Sequence, residues 1–533
     1  MSDEYDVIAV GGGHNGLVAA GYLARAGLRV IVLEKRHLAG GASVTEEVFP
    51  GFWANTGANN AAWIHPKILA DMDLIRFGLE IIRPNPSVFT PFPDGRYFLT
   101  WLQKERVNEE IRKFAAADIE PYWGVRQYVK RFAEMLGISF LEPPPPNLGE
   151  LTARIQTSEA ESAFNRLMFG SVQELLDDWF ESEEIKSLFA IISTCNNFAS
   201  PMDPGSSYML LHRSLSLDFI DYTIAPEWRT YRPTYRTRGG IGQLMTAMTD
   251  SIEASGAAVR TNAEVSHISV KNGQATGVVL STGEEILGRV VVSNLDPHRT
   301  FLRLIDQTDL DREFREEVER LSTEGSCAKV IVAVDLLPRW RSVKDASLDD
   351  PVAQASFRIS PSMAYMDKAC SEAKNGYAST EPILWGSIPS VDSDAMTPPG
   401  KHIICLTTFH APYHLKEENW VTEGDAYARR CIDVIDEYAA GFKESVIDYK
   451  CLSPVDLEDM FGMTGGHSTH VDMMPGHIFS SRPIPGWAGY KTPIQNLYMC
   501  GSGTFPGGQV SGLPGHNAAH VILEDLRATP GER

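Results

Sequence analysis

The chain has 533 residues, with 48 Lys and Arg against 69 Asp and Glu and a formal net charge of −21. Hydrophobic residues make up 43% and charged residues 22%, a balance that is typical of globular proteins and excludes a disordered or fibrous chain. The excess of acid excludes a binder of the nucleic-acid backbone and disfavours docking on anionic lipid, because both need a positive surface.

The sequence predicts neither a membrane span nor a targeting segment. No stretch approaches the roughly 20 apolar residues that cross a bilayer, and the N-terminus lacks the basic region of a signal peptide. Seven cysteines are scattered without a Cys-x-x-Cys pair, which indicates neither a zinc site nor a redox dithiol and is typical of a reducing compartment. We therefore expect a cytoplasmic protein with no integral membrane association, no nucleic-acid partner and no metal; its oligomeric state stays open.

The first 40 residues predict a β-α-β unit. An apolar strand at 5–10 is followed by a helix of small residues at 15–26 and a second strand at 29–33. Residues 11–16 (GGGHNG) form a G-x-G-x-x-G turn between the strand and the helix, and Glu34 ends the second strand. This context predicts a dinucleotide site, with phosphates at the helix N-terminus and Glu34 accepting hydrogen bonds from ribose hydroxyls.

Each glycine of the turn has a separate physical reason. Gly11 permits the tight turn, Gly13 lets the backbone approach a pyrophosphate, and Gly16 lets the helix pack closely on the strand. His14 lies inside the phosphate loop, and we expect it to serve the geometry of the cofactor site.

The remaining elements are predicted from apolar periodicity and turn residues. Four prolines at 143–146 predict an extended surface linker. The predicted elements are a hairpin at 90–101, helices at 105–136 and 157–192, a β-meander at 263–293, strands at 329–336, 402–410 and 496–501, and a helix at 515–527.

Residues 34–42 (EKRHLAGGA) resemble the second glycine motif of the FAD-binding oxidoreductases of the amine-oxidase and phytoene-desaturase superfamily. Residues 238–244 (RGGIGQL), the strand opened by Glu264-Val265 and the C-terminal segment 496–508 (NLYMCGSGTFPGG) resemble three further segments of that superfamily. The resemblance implies bound FAD and an α/β fold. In that fold, a discontinuous Rossmann-type FAD-binding domain carries an inserted α+β substrate domain.

The implied division of the chain gives the FAD-binding domain residues 1–69, 236–300 and 481–533, and the substrate domain residues 70–235 and 301–480. The resemblance also implies the cofactor-binding residues, with the C-terminal ones placed beside the flavin. These residues are Gly11, Gly13, His14, Asn15, Gly16, Glu34, Lys35, Arg36, Gly40, Gly41, Ala42, Val265, Gly501, Gly508, Gln509 and Val510.

Residues 179–183 (WFESE) and 461–466 (FGMTGG) resemble the branch called pyridine nucleotide-disulphide oxidoreductase domain-containing protein 2. That name does not fit the chemistry expected here. A disulphide reductase needs two cysteines a few residues apart beside the flavin and a second dinucleotide fold for NAD(P)H, and the sequence contains neither. We therefore expect one dinucleotide, FAD, and no nicotinamide domain.

FAD accepts a hydride at N5 and the protein positions the substrate. The predicted substrate domain is long enough to build an apolar tunnel over the flavin, although core packing is the favoured explanation for any single aromatic residue there. His467 and His470 in residues 465–470 (GGHSTH) and His65 are the acid–base candidates, because a dehydrogenation must also release a proton. The spacing of the first two loosely suggests a metal pair, but no third ligand supports it.

Three hypotheses follow. The first is a desaturase or dehydrogenase acting on a small apolar substrate (polyene, isoprenoid or fatty) and passing electrons to oxygen, quinone or another protein. The second is a flavin amine oxidase, whose chemistry favours an aromatic cage and a lysine-held water near N5. The third is a flavin-stabilised interaction protein without turnover. Reduction of the flavin by lipids, release of peroxide with amines, or a cellular role that survives loss of FAD would distinguish them.

Overall fold

The computed structural model describes residues 5–61, 63–194, 197–217 and 236–528. Of the seven cysteines, Cys195 lies outside the described residues. The strands are β1 (Tyr5–Val10), β2 (Val30–Leu33), β3 (Thr45–Phe49), β4 (Phe52–Asn55), β5 (Ile81–Ile82), β6 (Val88–Pro91), β7 (Tyr97–Thr100), β8 (Arg236–Thr237), β9 (Ala258–Arg260), β10 (Val265–Lys271), β11 (Gln274–Leu280), β12 (Glu285–Ser293), β13 (Cys327–Val334), β14 (Ser356–Ile359), β15 (Ile383–Ser387), β16 (His402–Phe409), β17 (Val446–Leu452) and β18 (Leu497–Met499). The helices are α1 (His14–Arg25), α2 (Pro66–Asp71), α3 (Lys104–Arg112), α4 (Ile119–Leu136), α5 (Leu148–Ala153), α6 (Ser158–Phe164), α7 (Val172–Asp177), α8 (Glu183–Thr194), α9 (Tyr208–Leu217), α10 (Gly242–Ala254), α11 (Arg312–Glu319), α12 (Ala346–Gln354), α13 (Met363–Lys374), α14 (Trp420–Tyr438), α15 (Pro454–Phe461) and α16 (Leu513–Ala528).

The first sheet brings distant parts of the chain together. Its strands run in the order β10-β11-β12-β1-β2-β9, and β18 adds to β12. The pairs among β12, β1, β2, β9 and β18 are parallel, and their buried Val, Ile and Ala residues are typical of a parallel sheet covered on both faces. The predicted Rossmann-type α/β fold is present, with the glycine turn at the carboxyl end of β1.

The second sheet is mixed and has the order β17-β13-β16-β15-β14-β6-β7. All of its pairs are antiparallel except β14 with β6. Every residue of the interior strand β13 is buried, so both faces of this strand are covered by other parts of the protein. The predicted hairpin at 90–101 corresponds to β6 and β7, with Gly95 in its turn.

Some predicted elements differ from those observed. The β-meander predicted at 263–293 consists of β10, β11 and β12, but its last strand is shared with the parallel part of the sheet. Residues 277–279 of β11 pair antiparallel with 285–287 of β12, and the rest of β12 pairs parallel with β1. The predicted helix at 157–192 is divided into α6, α7 and α8. Hydroxyl side chains explain the two breaks, because Ser171 and Ser182 each accept a backbone N–H from the first turn of a new helix, as Thr157 does at the start of α6.

Among the described residues, none of the helices has the length and the apolar character needed to cross a membrane. The exact division of the chain into an FAD-binding and a substrate domain stays a prediction.

Candidate active site

A cavity of about 260 Å³ lies between the glycine turn and the second sheet, and both contribute to its wall. Ten of the predicted site residues line it, namely Gly11, Gly13, His14, Glu34, Gly40, Gly41, Ala42, His470, Gln509 and Val510. Nine do not, namely Asn15, Gly16, Lys35, Arg36, Val265, Gly501, Gly508, His467 and His65. Residues from both ends of the chain therefore line one cavity, as the motifs predict. The rest of its wall comes from the middle of the chain.

The glycine turn is packed too tightly for side chains. A Cβ on Gly16 would lie 2.3 Å from the carbonyl oxygen of Gly11, and a Cβ on Gly13 would lie 2.7 Å from Nδ2 of Asn294. Gly11 has a φ of 95°, which favours glycine. Gly13 is the N-cap residue of α1 and has no side chain to accept a hydrogen bond. The N–H groups of the first helical turn therefore lack a side-chain acceptor at this position and can bind an anion.

Glu34 is 5% exposed and is already oriented by the backbone. Its Oε2 accepts the N–H of Gly12 at 2.8 Å, and its Oε1 accepts the N–H of Arg36 at 2.9 Å. A carboxylate held by two N–H groups keeps further lone pairs for hydroxyl donors. Its geometry therefore suits a ribose at the end of β2.

Lys35, Arg36 and Val265 lie next to this end of the cavity without forming its wall. The Arg36 side chain pairs with Glu46 at 2.5 Å, and the Nζ of Lys35 donates to the carbonyl of Asp459. Val265 pairs with Leu280 in the first sheet.

The C-terminal loop meets the phosphate loop at Gln509. The Nε2 of His14 donates to the Gln509 carbonyl at 3.1 Å, which joins residues 495 positions apart in the sequence. Gln509 has a φ of 79°, an uncommon backbone conformation for a residue with a side chain. Its Oε1 is buried without a hydrogen-bond partner, an unsatisfied acceptor in a residue that lines the cavity.

His470 is the predicted acid–base candidate that lies in the cavity wall. It has a φ of 66° and a buried Nδ1 without a partner. Burial is the largest influence on its imidazole and lowers its pKa to about 4, so the ring is neutral near pH 7 and can accept a proton.

His467 holds the loop instead of facing the cavity. Its Nε2 donates to Asp472 at 2.9 Å and its Nδ1 accepts the N–H of Thr469 at 3.2 Å, so both ring nitrogens are occupied. Thr469 is pressed against Gly508, where an added Cβ would lie 2.2 Å from the threonine Cγ2. The structure thus places His467 behind the wall that His470 forms.

His65 also lies outside the cavity wall. The Nδ1 of its imidazole accepts the backbone N–H of Lys67 and caps α2. The backbone N–H of His65 donates to the Ser511 carbonyl at 3.1 Å. Burial lowers its pKa to about 4. Its contacts connect α2 to the C-terminal loop.

Arg482 is a fully buried cation that sequence reasoning missed. Its guanidinium donates to the carbonyls of Thr469 and Ser502, both at 2.7 Å, and of Asp472 at 2.9 Å. Burial lowers its pKa to about 10, so it remains charged near pH 7. It fastens the loop that carries His470 to the C-terminal loop.

The opposite wall is one row of side chains across the second sheet. The row runs Arg358, Trp385, Thr407, Lys329, each residue being the register partner of the next. All four line the cavity. Because register partners point to the same face of an antiparallel sheet, the pairing itself aims this row at the dinucleotide side.

Lys329 is 3% exposed and is held by neutral groups. Its Nζ donates to Oδ1 of Asn59 and, at 3.0 Å, to Oγ1 of Thr407. Desolvation lowers its pKa to about 8, so neutral and charged forms coexist at mildly alkaline pH. The sequence contains one signal for it, a lone lysine in the apolar strand 327–334.

The residues present fit FAD. The glycine turn leaves a backbone cradle at Gly13 and Gly41, since a Cβ on Gly41 would lie 3.1 Å from the Cα of Gly13. Glu34 would supply an acceptor for the ribose hydroxyls, and the unsatisfied Oε1 of Gln509 would supply a polar group toward the bound cofactor. Across the described parts of the chain, no group of three His, Cys, Asp or Glu residues could hold a metal ion.

Comparison with known proteins agrees with this geometry. The chain is 34% identical to pyridine nucleotide-disulfide oxidoreductase domain-containing protein 2 of Rattus norvegicus, over 99% of this chain and 94% of the rat protein. It is 26% identical to a limonene dehydrogenase chain of Castellaniella defragrans, over 98% and 95% of the two sequences. It is 24% identical to the lycopene-forming phytoene desaturase of Pantoea ananas, over 97% and 99%.

The fold is shared with solved flavoenzymes. A putrescine oxidase variant superposes with a TM-score of 0.63 at 16% sequence identity, covering 98% of this chain and 99% of that one. The family described as flavin containing amine oxidoreductase matches residues 16–439. The chain therefore belongs to the flavin-containing amine oxidoreductase family and binds FAD as its cofactor.

Proposed function

We propose that this FAD-dependent oxidoreductase is a desaturase or dehydrogenase that removes a hydride from a C–H bond of an apolar substrate. One observation carries the proposal: the cavity places an aromatic and apolar wall opposite the glycine cradle. Trp63, Trp385 and Phe409 contribute to that wall. The names of relatives support it, because limonene dehydrogenase and phytoene desaturase are named for hydrocarbon substrates.

When bound, FAD supplies a two-electron acceptor that takes a hydride. The apolar wall excludes water and orients the substrate chain, because burying apolar surface is favourable and non-directional. His470 is the wall's neutral imidazole and accepts the proton that accompanies loss of the hydride. His14 and Gln509 fix the junction of the two loops, so that the wall keeps its shape around the ring.

A flavin amine oxidase is the second candidate, favoured by Lys329. The buried amino group on β13, in the same cavity wall as the aromatic Trp385 and Phe409, matches the lysine and the aromatic residues that amine oxidation favours. Its pKa of about 8 would allow it to hold a water molecule near the flavin in either protonation state.

The deciding experiment is anaerobic mixing of the purified holoprotein with hydrocarbons and fatty compounds in one series and with aliphatic and aromatic amines in the other. Bleaching of the visible flavin band in the first series alone supports the proposal. Bleaching by amines, with peroxide released on readmitting air, would select the second candidate. A flavin that stays oxidised in both series, while dithionite reduces it, would favour the non-catalytic alternative.

The same proposal includes a cytoplasmic location and an electron acceptor of the oxygen, quinone or protein class. The location is supported by the six cysteines of the described chain, all of which are free thiols. Aerobic reoxidation of the reduced flavin, timed with and without a soluble quinone, distinguishes the acceptors.

A further inference from the structure

The substrate end of the cavity carries only positive charge among the described side chains. Lys329, Arg358 and Arg213 line it. The one carboxylate of the described wall is Glu34, which belongs to the nucleotide end and is bonded to the backbone N–H groups of residues 12 and 36. An apolar wall with cations at one end is suited to a chain that ends in an anion.

We propose that the substrate is an amphipathic acid, whose carboxylate binds Arg358 while its apolar chain lies along the aromatic wall. This inference rests on the proposed function and narrows its substrate class. It restricts the first candidate to chains with an acidic head group and differs from the second, because amines are cationic. A protonated amine would be repelled by the same three side chains.

The place of Arg358 in the sheet supports its role. It lies on β14, and Lys329 lies on β13, three strand spacings away, or roughly 14 Å at the usual spacing. The Arg358 guanidinium lies 3.9 Å from the centre of the Trp385 ring. An arginine stacked on an indole keeps a fixed plane, so that its N–H edge is preorganised for two oxygens of a carboxylate.

The two cations of the row therefore have different tasks. Lys329 is held by Asn59 and Thr407 at one end of the row, where the reacting part of the chain would lie. Arg358 lies toward the other end of the same row and anchors the head group. A substrate fixed at its charged end presents one defined C–H bond near Lys329, so the reaction becomes regiospecific on a chain that has no other distinguishing group.

Arg213 supplies a second positive group from a different element. It lies on α9, with its guanidinium 5.0 Å from the centre of the Trp63 ring. The cavity wall therefore contains two arginines that each lie over a tryptophan ring, Arg213 over Trp63 and Arg358 over Trp385.

The test uses matched ligands that differ only in the head group: decanoate, methyl decanoate and decylamine, and the corresponding oleyl compounds. Binding to the oxidised holoprotein is followed by the change in the flavin spectrum, which requires no turnover. We expect a carboxylate to bind at least about tenfold more tightly than its methyl ester, the difference made by one charge-assisted hydrogen-bonding pair. Arg358→Gln should remove that preference and leave ester binding unchanged, while Arg358→Lys retains part of it.

Arg76→Gln is the matched control, because it removes an arginine whose side chain is 78% exposed and absent from the cavity wall. It should keep the full preference. Equal affinity for carboxylate and ester, tighter binding of the amine, or no binding of any carboxylate would overturn the inference. So would an Arg358→Gln protein that loses FAD but keeps the carboxylate-to-ester ratio, since the arginine would then serve the cofactor.

The two proposals fail separately. Arginine-dependent binding of carboxylates without bleaching of the flavin contradicts the dehydrogenase and leaves the acid site standing. Bleaching of the flavin by neutral hydrocarbons, with no preference for carboxylates in the binding series, would support the dehydrogenase and contradict the acid site.

Discussion

Gly16→Ala is the substitution that tests the cofactor cradle most sharply. The new methyl group would lie 2.3 Å from the carbonyl oxygen of Gly11 and 3.1 Å from the Cβ of Asn294. Gly16 has an ordinary helical backbone, so steric overlap alone is tested and not the conformational freedom of glycine. Because Gly11 belongs to the turn that carries the predicted phosphate site, relief of the overlap must move that turn.

The size of the effect follows from the overlap. The contact is about 1 Å shorter than an ordinary carbon–oxygen contact, and overpacking of this kind costs about 1–3 kcal/mol. If that cost falls on the FAD-bound form, the Kd for FAD rises about five- to 150-fold. Titration of the apoprotein with FAD, followed by quenching of flavin fluorescence, measures it.

Gly476→Ala provides the control. Gly476 is exposed, and an added Cβ there would meet nothing within 4 Å. The control should bind FAD like the unaltered chain. Equal Kd values for the unaltered protein, Gly16→Ala and the control would refute the placement of FAD on this turn.

Three further outcomes are expected. Glu34→Gln replaces a charged acceptor at the ribose position and should weaken FAD binding by roughly 1–3 kcal/mol in the same titration; an unchanged Kd would remove Glu34 from the site. Arg482→Met leaves several buried carbonyls without donors and should lower the free energy of unfolding by about 3 kcal/mol or more in urea, whereas a loss below about 1 kcal/mol would contradict its role as a clamp. Lys329 titrates near pH 8 in the folded chain and at a higher pH when unfolded, so the unfolded state binds more protons between these values and the folded state gains stability as pH rises through this window. Relative to Lys329→Met, the unaltered protein should therefore become more stable from about pH 8 to about pH 10, and a flat difference would show that the lysine is solvated.

The nucleotide end of the site could be predicted from the sequence because its determinants are local. A strand, a glycine turn, a helix and Glu34 lie within the first 40 residues, and the steric reasons for the glycines are present in the structure, as at Gly16. The strand before the C-terminal glycine loop can likewise be predicted from the sequence, because it is an apolar run. It pairs with β12 and brings Gln509 to His14.

The substrate end could not be predicted because it depends on strand register. Arg358, Trp385, Thr407 and Lys329 come from four strands that are far apart in the sequence, and only their pairing places them in one row. A shift of one residue in any strand would turn its member to the other face. The histidines show a related limit: residues 465–470 contain two candidates, and only the fold shows that His470 lines the cavity while His467 bonds Asp472.

The most direct test of the cofactor site and its opposite wall is a crystal structure of the holoprotein prepared with FAD. We predict density for one dinucleotide per chain, with its ribose on Glu34, its pyrophosphate at the start of α1, and its ring between Gln509 and Lys329. Density for FAD elsewhere in the chain, or a flavin ring separated from the row on the second sheet, would contradict this placement.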